Sequence, residues 1–244
     1  MRPTGFVAAV VLILAACTGT RAGVLPASAK TVGVIALLPS TGHLVQVALL
    51  RFNYECKPFD LKGANLEATA FNAASRVLSP DYKVVRLTAP PGAALHTKNT
   101  EVNGLFRSFP TIAAQIRAFA HPPQSVDAYL LVWGQTRDSE CQDAPRPYGF
   151  GLTRSVGGIK TNVSAFAQLI LIDAHTDQEL ATVWTRDAIA PLPGFDWKGQ
   201  PAEALPEQAQ QITTAMQIAF ASGVSTGVGS LLRQPWEEPL PDRQ

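Results

Sequence analysis

The chain has 244 residues, of which 46% are hydrophobic and 16% charged, and its formal net charge is +1. That content suits one medium-sized domain with a proper core. Twenty basic residues against nineteen acidic ones leave no electrostatic footprint for nucleic acid or acidic lipid, and losing Arg2 with residues 1–16 makes the remainder neutral.

Residues 6–17 form the longest uninterrupted apolar run. A bilayer-crossing helix takes roughly 20 residues, so this run is too short to span, and behind Arg2 it has the length of a signal-peptide core. Export is the expectation. Within the run, Leu14-Ala15-Ala16-Cys17 resembles the lipobox of bacterial lipoproteins. The resemblance implies a signal peptide over residues 1–16, diacylglycerol on the Cys17 thiol, and a mature chain that starts there. It also implies, from Thr18 in place of Asp, sorting to the periplasmic face of the outer membrane. Residues 17–30 would then be a flexible tether of small and polar residues. A rival is Ala27-Ser28-Ala29 before Lys30, the small-x-small pattern of ordinary secretory cleavage, which would release a soluble periplasmic or secreted protein.

With Cys17 lipidated or removed, Cys56 and Cys141 remain, an even number in a compartment that permits disulfides. One Cys56–Cys141 bridge is expected, with two separate thiols as the alternative. Three cysteines, with no histidine at ligand spacing, do not make a zinc site.

Residues 31–38, TVGVIALL, are β-branched and apolar on both faces, as a buried strand is, and Pro39 and Gly42 mark a turn. An extended run over 44–54 is expected to fold back on it. Leu66, Ala70, Ala73 and Val77 then repeat at helical spacing within 61–78, and Pro80 stops that helix. A short strand follows over 82–87. From Val102 through Phe106, Phe109, Ile112 and Ile116 the apolar residues again repeat at helical spacing, interrupted by Pro110, which makes a start near Ser108 the alternative for this helix. Residues 126–133, VDAYLLVW, read as a buried strand, 135–147 as a polar loop holding Cys141, and 148–154 as extended.

Residues 165–172 and 180–184 flank a polar turn and predict a β-hairpin. Four prolines and two glycines make 191–206 a surface loop, and a last helix is expected over about 206–232. The whole predicts an α/β (or α+β) fold, a mixed sheet of about five to seven strands with about three helices, in one domain over residues 31–233. A Pro-rich tail over 234–244 is expected to be disordered. This order, with TVGVIALLP and LILIDAHTDQELATVW, is loosely similar to the small envelope domains of the curli-secretion and penicillin-binding-protein-activator lipoprotein families.

Gly223-Val224-Ser225-Thr226-Gly227 matches the G-x-S-x-G nucleophile elbow, which needs a preceding strand and a later acid and histidine. No histidine follows His175 and the segment lies in a helical pattern, so small residues in a packed helix are the plainer reading. Asp173, His175, Asp177 and Glu179 alternate and on a straight strand would share one face, as a divalent-cation cluster would. A hairpin turn between two apolar strands is the plainer account. His43, His96 and His121 fall in expected loops far apart, Trp133 and Trp184 in expected core strands, and Trp197 in a loop. Asn162-Val163-Ser164 matches a glycosylation sequon by chance, and PWEEPLPDRQ reads as a spacer.

No catalytic set, metal site or cofactor motif is expected. The expected function is therefore a non-enzymatic binding or accessory role in the cell envelope, with the membrane reached through a lipid anchor, an envelope protein as possible partner, and no nucleic acid. The alternative is an exported hydrolase whose site the linear sequence does not bring together.

Overall fold

The computed structural model describes residues 25–47, 54–91, 93–96, 99–102, 105–120, 125–134, 149–155, 161–185, 188–192 and 209–233. In chain order the strands are β1 (Thr31–Leu37), β2 (Thr41–Val47), β3 (Tyr54–Asp60), β4 (Lys83–Leu87), β5 (Asn99–Val102), β6 (Leu105–Ser108), β7 (Ala128–Trp133), β8 (Phe150–Ser155), β9 (Thr161–Ala165), β10 (Gln168–Asp173), β11 (Glu179–Trp184) and β12 (Ile189–Pro191). The helices are α1 (Leu66–Leu78), α2 (Ile112–Ala120) and α3 (Ala209–Leu231). The fold is a single α/β domain that holds, among the described residues, two mixed five-stranded sheets, a two-stranded hairpin and three α-helices.

One five-stranded sheet runs β11-β10-β7-β1-β4. Its three strands β1, β4 and β7 are parallel, while β10 pairs antiparallel with β7 and with β11, which is the expected hairpin. Period-two alternation divides the side chains between two faces. Val32, Val34, Leu130, Val132, Leu169 and Leu171 face the layer made by α1 and α3. Ile35, Tyr129, Leu131, Ile170 and Ile172 pack on the other side with Ala113 and Ile116 of α2. Burial on both faces explains why these strands are near-continuous apolar runs.

In α1 the buried residues Leu66, Ala70, Ala73, Ala74 and Leu78 form the stripe that the spacing predicts. The first five residues of the expected helix differ: Leu61 precedes a 3-10 turn over Lys62–Ala64, and Asn65 takes the left-handed conformation (φ 51°) before α1 begins. The helix α2 starts where the side chain of Thr111 accepts the Ala114 N–H (3.2 Å), not at Ser108. Pro110 disfavours helical geometry at Phe109 and so divides the apolar repeat. The part before it folds as the β5–β6 hairpin, with Asn99 opposite Ser108 and Val102 opposite Leu105.

The expected return of the second strand onto β1 does not occur. The chain passes through Leu38, Pro39 and Ser40 into β2 of a second five-stranded sheet, ordered β12-β9-β8-β2-β3. Proline cannot donate to a ladder, so pairing with β1's neighbours ends at Pro39. The neighbours β1-β7-β10 reappear as β2-β8-β9, so the second sheet is the first one continued around a corner. At this corner Gly134 donates to the Leu37 carbonyl (2.9 Å), and Phe166 to that of Gly149 (2.9 Å). A Cβ on Gly134 would stand 2.7 Å from Pro39 Cδ and 2.9 Å from Phe150 Cε2, so no side chain fits. Across the turn from β9 to β10, the buried Thr185 hydroxyl accepts the Ala167 N–H (2.8 Å) and donates to the Ala165 carbonyl (3.2 Å).

The ordered domain also begins earlier than Thr31. Leu25 is 5% exposed and Ala29 9%, both within the main core, and the Ala29 N–H closes a turn on the Pro26 carbonyl (2.9 Å). The tether expected over residues 17–30 is thereby shortened at its end, because a buried leucine fixes the chain there. Residues 17–24 lie outside the described residues.

Candidate functional site

The acidic cluster of the β10–β11 turn does not converge on a point. Asp173 accepts the N–H groups of His175 (2.7 Å) and Thr176 (2.9 Å), building the turn itself. Asp177, left-handed at φ 61°, turns to α2 and forms a two-pronged ion pair with Arg117 (2.6 and 2.7 Å), to which Thr111 Oγ1 adds a bond of 3.1 Å. His175 Nε2 lies 3.4 Å from Asp127 Oδ1, whose other oxygen accepts the N–H groups of Lys30 and Thr31 (2.8 Å each). Glu179 sits in β11 opposite Ile172. Among the described residues, no three histidine, cysteine, aspartate or glutamate side chains are placed to hold a metal ion.

These bonds set the charges. The Arg117 hydrogen bond holds the Asp177 carboxyl below its usual pKa, and the Lys30 and then the Thr31 backbone N–H do the same for Asp127. The network ties α2, the hairpin turn and the start of β1 together at the amino-terminal edge of the parallel strands, which is a structural role.

The G-x-S-x-G segment lies inside α3, as expected. A Cβ on Gly223 would meet Ala188 Cβ at 2.7 Å, and one on Gly227 would meet Leu169 Cδ1 at 2.5 Å. The two glycines, one turn apart, let the helix approach the sheets closely, while Ser225 Oγ lies against α1, 3.5 Å from the Ala73 carbonyl. No sharp turn exposes the serine.

His43 is in β2 rather than a loop, because the second sheet, unforeseen in the sequence, claims it. His96 is in a loop, stacked on Phe109 (4.2 Å between ring centres) and held by two bonds between its backbone and the Gln115 side chain. The sequon lies in β9, with Val163 and Ser164 buried. Trp133 is half-buried, but Trp184, expected in the core, is 40% exposed at the end of edge strand β11. Cys17, Cys141, His121, Trp197 and the tail 234–244 lie outside the described residues. Cys56 is placed only by its backbone, in β3 opposite Val45.

The concave feature lies at the opposite edge, where β1, β4 and β7 end. From β1 the chain crosses by α1 to β4 on one side, and then by α2 to β7 on the other side of β1. The direction reverses between β1 and β7, and in α/β sheets ligands bind in the crevice outside the strand ends at such a switch point. A groove of about 710 Å³ lies there, lined by Leu37, Pro39, Ser40, Glu67, Trp133, Gly134 and the residues 89–91 and 93–95. An adjoining hollow of about 280 Å³ shares Pro39, Ser40 and Glu67 and reaches Asn65 and Lys62 at the start of α1. The volume of the larger groove suits a single small ligand, and its walls combine apolar rings and methyl groups with one carboxylate and one hydroxyl. None of Ser40, Glu67 and Leu95 belongs to a motif. The available signal was positional: each follows or faces the end of a parallel strand.

No family model and no curated protein matches the chain. Among solved structures, a Xanthomonas campestris protein assigned to family model DUF330 is similar over 84% of each chain, with 7% identity and a TM-score of 0.41.

Proposed function

We propose that this chain is an exported, lipid-anchored cell-envelope protein with a non-enzymatic binding role, exercised at the groove where β1, β4 and β7 end. The observation that carries the binding role is the groove's position at the switch point between β1 and β7, with Trp133, Glu67 and Ser40 turned to one cavity. A photoreactive residue at the exposed, groove-lining position Ala94 tests it in intact cells. A discrete adduct is expected at Ala94 and none at Thr176, which lies at the other edge of the sheet. Equal labelling at the two positions, or none at Ala94, refutes the site.

The anchor at Cys17 draws support from Leu25. Cleavage after Ala29 would remove a side chain buried in the main core, whereas cleavage before Cys17 keeps it. The mass of the mature amino-terminal peptide tests this. An acylated, diacylglycerol-bearing Cys17 is expected, and a free Lys30 terminus refutes the anchor.

A further inference from the structure

Four residues from four neighbouring strands form one row across the end of the first sheet. Register places Leu37 opposite Trp133, Trp133 opposite Gln168, and Gln168 opposite Trp184. Paired residues point to the same face, and Ile170 and Ile172, two and four residues after Gln168, place that face on the α2 side. The two tryptophans therefore flank Gln168 at about 9.5 Å, two strand spacings. The Gln168 amide between them donates to Thr182 Oγ1 (3.1 Å). At its inner end the row enters the groove through Leu37 and Trp133 and meets Glu67 and Ser40 there.

We infer that this row and the groove form a binding site for an uncharged oligosaccharide in extended conformation, lying across the strands. This rests on the reading of the groove as a binding site and names its ligand class. A pyranose ring has an apolar C–H face that stacks on an indole and a rim of hydroxyls that must be bonded. Trp133 and Trp184 supply two stacking faces separated by an amide, and the Glu67 carboxylate and Ser40 hydroxyl supply bonds to hydroxyls. Glu67 is the charged side chain in the groove's lining and repels a polyanion, while Lys62 lies in the adjoining hollow. A proline-rich segment repeats at about 9.3 Å per turn and would also match the tryptophan spacing. It would, however, bring carbonyls and no prolyl N–H to Glu67, which only accepts.

Isothermal titration of the detergent-solubilised full chain with chitohexaose and cellohexaose, alongside a polyproline decamer, tests the site. Saturable binding of at least one glycan is expected. Trp184→Ala should weaken it about tenfold and Trp184→Phe much less, the difference that ring stacking makes. Glu67→Gln, an isosteric change at an exposed position of α1, should weaken it severalfold with the fold intact by circular dichroism. Absence of binding by both glycans overturns the inference, as does binding that none of these variants changes, or binding of polyproline alone. An Ala94 adduct in cells without glycan binding refutes only the ligand class, whereas loss of both refutes the site as well.

Discussion

Three glycines of α3 differ only in what a methyl group would meet, so Gly→Ala at each separates helix propensity from packing. Alanine in a helix interior gains about 1 kcal/mol over glycine. At Gly229 the nearest atom is Arg233 Nη1 at 3.5 Å, ordinary contact, so Gly229→Ala should stabilise by about 0.5–1 kcal/mol. At Gly227 the obstructing atom is the tip of Leu169, a rotatable side chain in a filled core, so gain and cost should cancel to within about 1 kcal/mol. At Gly223 the obstruction is Ala188 Cβ at 2.7 Å with Thr185 Cβ at 3.1 Å, atoms that move only with the backbone. Overpacking against atoms fixed by the backbone falls in the upper part of the usual range, about 2–3 kcal/mol, and outweighs the propensity gain of about 1 kcal/mol, for a net loss of about 1–2 kcal/mol. In a domain of this size that is a fall in Tm of about 3–6 °C, against a rise of about 2–3 °C for Gly229→Ala. Thermal denaturation of the three variants reads the order. A Gly223→Ala protein at or above the wild-type Tm would refute the close approach of α3 to the sheet corner.

Other substitutions test the ties between elements. Thr185→Val keeps the shape but leaves the buried Ala167 N–H and Ala165 carbonyl without their hydroxyl partner, a cost of about 2–3 kcal/mol that urea titration should resolve. An unchanged midpoint would deny Thr185 its role at the corner. Asp177 has a folded pKa below its unfolded one, so its contribution is present above about pH 4 and is lost as pH falls through the depressed value. Asp177→Asn should accordingly show a flatter acid limb than wild type. Because Arg117 is well exposed, it should lose less than about 1 kcal/mol at pH 7. Parallel acid limbs would show that the ion pair does not couple to folding. Leu25→Ala should cost about 2–3 kcal/mol in a chain beginning at residue 17. A chain beginning at Lys30 should be at least as destabilised, and equal stability of the two lengths would remove Leu25 from the core.

What was legible in the sequence was whatever carries a strong local period. β1, β7 and β10 are apolar runs buried on both faces, β11 follows β10 across a polar turn, and the stripes of α1 and α3 repeat every turn. The second sheet was missed as a unit because some of its strands carry polar or small residues where a central strand has large apolar ones. Gly151 in β8 illustrates the reason. A Cβ there would fall on the His43 carbonyl oxygen, so a residue that locally weakens a strand is what permits β2 and β8 to pair. The hairpin β5–β6 was masked by an apolar repeat that Pro110 divides. The groove was illegible for a different cause: its lining comes from residues scattered between Leu37 and Gly134, and nothing local marks Glu67 as sharing a cavity with Trp133.

The position of that cavity follows from element lengths and topology. A nine-residue helix is about 13.5 Å long, whereas the six residues of β7 extend about 20 Å. Ala113 and Ile116 of α2 pack with Tyr129, Leu131, Ile170 and Ile172, toward the end of the sheet where the Arg117–Asp177 pair fixes the helix. Leu37 and Trp133 of the last row are half-buried against this cluster, while Trp184 at the sheet edge is 40% exposed. On that row the strands leave the sheet for the corner, and among the described residues Pro39 and Gly134 line the groove beside Trp133. The recess therefore results from a short helix and a bent sheet meeting at the switch point, with no motif in its own residues to announce it.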